Sequence, residues 1–139
     1  MATVLDLRAP SISIKFDKGK NLRPIFYYLS PSSTVINLTG YTARMMARLA
    51  YSDATPITGW SFTTEGVAGS KLEVVTGTAT LSDGTEVAGA YGIQLDISAI
   101  ITAASSFATA LFDIELINTT SVVLPFIKGT LTPYDEVTK

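Results

Sequence analysis

The stretch Tyr91-Gly92-Ile93-Gln94-Leu95-Asp96-Ile97 decides the fold class. Successive side chains of an extended chain point to opposite faces, so Tyr91, Ile93, Leu95 and Ile97 share one side and Gly92, Gln94 and Asp96 the other. That alternation marks a strand with one face on a core and one toward water. Upstream, Tyr41, Ala43, Met45, Ala47 and Leu49 alternate in the same way with Thr42, Arg44, Met46, Arg48 and Ala50, which puts both arginines on one outer face. Downstream, Ala110, Phe112, Ile114 and Leu116 stand opposite Leu111, Asp113, Glu115 and Ile117.

After that third strand comes a short polar linker, Asn118-Thr119-Thr120-Ser121, and then a run over 122–131 rich in β-branched and aromatic residues. Two strands joined so tightly are expected to form an antiparallel hairpin. Pro125 has no N–H to give to a ladder, so it predicts either an edge position or a bulge in the last strand. Further strands are expected at 11–16, 22–29, 57–62 and 71–75, with turns at Asp17-Lys18-Gly19, Ser30-Pro31-Ser32, Glu65-Gly66 and Asp83-Gly84. A short helix is expected from Ser98, as its cap, to about residue 105. Many short strands with so little helix predict an all-β fold, a sandwich or a Greek-key barrel. The chain divides into an N-terminal extension (1–9), one domain (10–132) and a C-terminal tail (133–139).

The composition narrows the function classes. At 139 residues the chain has the usual size of one domain and can bury a core without a staple. It has no cysteine and no histidine. Thiolate sites, disulfides, Ser-His-Asp triads and the commonest metal ligand are therefore outside its chemistry. Ten basic against twelve acidic residues, with no dense basic block, do not favour nucleic acid as a partner. The amino terminus lacks the basic start and continuous apolar stretch of a signal peptide. The weakly charged segment 97–112 carries five Ser and Thr and is too short for a membrane helix, so no membrane span is expected. With 16% charged and 47% hydrophobic residues, the surface must consist largely of small polar and apolar side chains, which suits packing against other proteins.

Candidate chemistry is sparse. Asp113 and Glu115 lie on one strand face about 7 Å apart by strand rise, a spacing compatible with glycoside hydrolysis. Alternating acids on a strand are more simply its solvated face. Asp83-Gly84 lacks the further acids of a calcium loop, and the glycines do not have a phosphate-cradling spacing. No catalytic, cofactor-binding or metal-binding residue is assigned. The contact candidates are Leu5, Leu7 and Arg8 before the first strand, Arg44 and Arg48 on their shared face, the aromatics Tyr27 and Trp60, and Tyr134 after the last strand. An aromatic platform around Tyr27 or Trp60 would alternatively mark a carbohydrate-binding module.

Three segments in order carry a family resemblance. Asn37-Leu38-Thr39-Gly40-Tyr41-Thr42-Ala43-Arg44 resembles the "dLtGytar" segment that opens a central strand in small virion proteins of tailed bacteriophages. Ala110-Leu111-Phe112-Asp113-Ile114-Glu115-Leu116 is similar to their "yvyDlel" strand, and the segment from Lys128 to the final Lys139 resembles their closing "G-x-v-x-v-x-pevTr". The chain departs from the pattern in having Phe112 where tyrosine is common and in the Pro133-Tyr134-Asp135 extension. The resemblance implies an immunoglobulin-like antiparallel β-sandwich with one short helix, located in the virion. It implies other virion proteins as partners and a homo-oligomer in the particle, in the tail, baseplate or fibre-attachment region or as a capsid decoration protein. It brings no catalytic residues.

Overall fold

A computed structural model describes residues 11–135. The described residues form eight strands and one short helix: β1 Ser11–Asp17, β2 Ile25–Tyr27, β3 Thr42–Arg48, β4 Ser61–Thr63, β5 Ser70–Thr80, β6 Glu86–Ile97, α1 Ala99–Ala103, β7 Ala110–Ile117 and β8 Val123–Tyr134. They build two sheets, ordered β1-β8-β7-β3-β4 and β2-β6-β5, packed as an all-β sandwich. The second, sixth and fifth strands share one sheet and the third, seventh and eighth the other, which is the immunoglobulin arrangement of B-E-D against C-F-G. All pairings are antiparallel except β1 with β8, which run parallel, so the first described strand joins the larger sheet.

The period-two readings become the two inner faces. Ile93, Leu95 and Ile97 from β6 meet Ala43, Met45 and Ala47 from β3 and Ala110, Phe112, Ile114 and Leu116 from β7, all buried. The centre is aromatic: Trp60 lies 5.5 Å from Phe16, 5.7 Å from Phe62 and 5.7 Å from Phe107, centroid to centroid. Burying a ring of this size is worth roughly 1.5–3 kcal/mol.

The hairpin forms as its sequence predicts. Asn118 Oδ1 accepts the N–H groups of Thr120 and Val122, so the side chain organises the turn between β7 and β8. Pro125 makes a bulge and not an edge. The register steps from Ile114 opposite Ile127 to Glu115 opposite Pro125, and β8 lies between β7 and β1.

Four expectations shift. The run 57–62 contains a turn, with Gly59 at φ +85° and the Trp60 N–H donating to the Ile57 carbonyl at 2.9 Å, so β4 starts only at Ser61. The run 22–29 shortens to Ile25–Tyr27 after Pro24, with isolated bridges at Leu22 and Leu29. Ser98 sits at the N-cap, but its side chain makes no cap bond, and Asn21 Oδ1 from the β1–β2 loop accepts the Ala99 N–H at 2.9 Å instead. Finally, β8 continues through Pro133 to Tyr134, opposite Asp17, so the domain extends past residue 132. Among the described residues no helix is long and apolar enough to cross a membrane.

Candidate protein-contact site

The alternation that buries Ala43, Met45 and Ala47 turns Arg44, Met46 and Arg48 outward on β3, and β7 does the same with Leu111, Asp113 and Glu115. The register then sets Arg44 opposite Glu115, Met46 opposite Asp113 and Arg48 opposite Leu111. Arg44 Nη2 donates to Glu115 Oε2 at 3.2 Å. Arg48 Nη2 points to the thioether sulfur of Met46 at 3.3 Å. Among the described residues, neither Arg48 nor Asp113 has an ion-pair partner. The side chains line an open depression of about 270 Å³ in the middle of the larger sheet.

Burial holds the Asp113 carboxyl above its ordinary range, and the negative charge of Glu115 pushes it the same way, against the pull of Arg48 and Arg44. A raised carboxylate in a depression is one thing a glycosidase needs. The second requirement is another carboxylate free to face the substrate, whereas Glu115 is engaged by Arg44.

The other contact candidates do not converge on this face. Tyr27 pairs with Gly92 on the smaller sheet and turns outward, where it lies over Gly77; a Cβ on Gly77 would come within 2.5 Å of the phenol oxygen. Tyr27 is thus half-buried against its own sheet. Trp60 is corrected from a contact residue to a core residue: it is 2% exposed, closed in by three phenylalanine rings, and cannot form a sugar platform. Tyr134 is 47% exposed at the end of β8. Leu5, Leu7 and Arg8 lie outside the described residues. At Asp83-Gly84 the carboxylate accepts the Thr85 N–H at 2.9 Å, and that bond lowers its pKa, as in an ordinary turn.

Sequence reading missed several exposed apolar side chains. Leu49, assigned to an inner face, is outside because β3 ends at Arg48 and the chain turns, the Asp53 N–H donating to the Ala50 carbonyl at 3.0 Å. Tyr51 follows it onto the surface. Ile100 is 82% exposed on α1, beside a cleft of about 480 Å³ lined by Ile57, Trp60, Ala104 and Ser105. Five helical residues are too few for a periodicity that would reveal which side faces water. No protein-family model matches this chain, and no curated protein is detectably similar to it.

Proposed function

We propose that this chain is a non-enzymatic structural protein of a bacteriophage virion that works by binding neighbouring virion proteins, in the tail, baseplate or fibre-attachment region. The observation that carries the reading is the nature of its surface. Outer strand faces and loop tips present Met46, Leu49, Tyr51 and Ile100 among small polar residues, with open strand edges at β4 and β5. Open edges and scattered apolar side chains on a stiff frame are a means of holding neighbours. The ordered resemblance of three segments to phage virion proteins supplies the setting. In a particle, contacts that are individually weak add through symmetry. A capsid decoration protein would use the same surface with a different copy number.

The test combines capture and melting. Immobilised full chain is exposed to purified tailed-phage particles, and its Tm is measured against a panel of glycans. Capture of particles with no glycan-dependent rise in Tm is the expected result. A glycan-dependent rise without capture would contradict the proposal and favour a carbohydrate-binding module.

A further inference from the structure

The register of the larger sheet makes its outer face self-complementary. Met46 stands opposite Asp113 and, two residues along, Arg48 stands opposite Leu111. These four residues form a block in which one diagonal is apolar, Met46 to Leu111, and the other is charged, Arg48 to Asp113. A two-fold axis lying in the plane of the face near the apolar diagonal exchanges the charged corners. Arg48 of each copy then meets Asp113 of the other, while Met46 and Leu111 come close to their own symmetry mates. We infer that this face is an isologous interface with a second copy of the chain, closed by two Arg48–Asp113 pairs around an apolar centre.

Three observations support this beyond the symmetry. The first is charge complementarity. Arg44 is satisfied within the chain by Glu115 at 3.2 Å, while Arg48 has only the Met46 sulfur and Asp113 has no cation within ion-pair distance among the described residues. Arg48 and Asp113 attract one another within the chain without closing an ion pair, so each can turn to the opposite charge of a second copy across a two-fold axis. The second is area. Five strands about 4.8 Å apart, from three residues in β4 to twelve in β8 and about seven on average at about 3.3 Å per residue, offer a face of roughly 550 Å² per copy, which when fully covered totals about 1,100 Å² against the ~1,000 Å² that a specific contact needs. The third is geometry. An axis along that diagonal makes the strands of the two copies cross at about 70°, near the orthogonal class of face-to-face sheet packing.

This inference rests on the proposal that the chain acts by binding protein neighbours, and it names one of them. The test is a charge swap read by sedimentation velocity on the full chain. Arg48→Glu sets two acids against each other, and Asp113→Arg sets two cations. Each single variant should raise the self-association constant for dissociation about tenfold or more. The double variant carrying R48E and D113R restores opposite charges across the axis and should associate like the original chain. Circular dichroism confirms that each variant keeps its strands. A chain that sediments as a single copy at every concentration, or single variants that associate as well as the parent, would overturn the interface. Particle capture unchanged in those same variants would show that the virion reading survives without it.

Discussion

Asp113 carries a cost that the fold does not require. Burial and the nearby Glu115 raise its pKa above the ordinary 3.8, so between that value and the raised one the folded protein keeps a proton that the unfolded chain has lost. Stability therefore falls as pH rises through this window, and above it the ionised carboxylate bears the full penalty. Asp113→Asn is expected to raise Tm at pH 7, an advantage that fades toward pH 3.8 and below. Melting curves across pH, at protein concentrations where the chain is a single copy, check the sign. A difference that stays constant with pH would show that the carboxylate's charge is not its origin.

Among the elements, the junction of β1 with β8 depends most on a single atom group. Gly129 sits between Ile12 on one side and Phe112 on the other, and a Cβ there would lie 1.6 Å from the Ile12 carbonyl oxygen. Gly129→Ala should force β1 off the sheet, uncover Ile14 and Phe16, and cost more than about 3 kcal/mol in chemical denaturation. An alanine variant as stable as the parent would mean that β1 does not hold this register. The same comparison explains what the sequence could reveal. Alternation over 91–97, 42–48 and 110–117 was legible because one face of each strand meets the core, so burial writes a period of two into the residues. The outer half of β5, Thr76-Gly77-Thr78-Ala79-Thr80, also alternates in burial, but its more buried positions are only Gly77 and Ala79, too small to mark an apolar face, and it was missed. Ile57 to Trp60 looked like part of a strand because Ile57, Trp60 and Phe62 are large and apolar, yet Gly59 closes a turn there. The common face of Arg44 and Arg48 was readable, but Glu115 as partner of Arg44 was not, because register between strands far apart in sequence is not written in either strand alone.

On the scale of the whole molecule, the aromatic cluster around Trp60 fixes the two sheets into a stiff frame, and the frame leaves its polar, weakly charged outer faces and loop tips for contact. A frame of this kind does its work by repetition, since each 14.8 kDa copy offers modest surface and a symmetric particle multiplies it. The most direct measurement is a titration of purified full chain onto purified tailed-phage particles, with pelleting and counting of the bound copies per particle. Binding by a symmetric set of sites predicts that the count rises and then stops at one fixed number, unchanged by further excess of protein. No bound chain, or a count that climbs in proportion to added protein without a plateau, would contradict the proposal that this protein is a structural component of the virion.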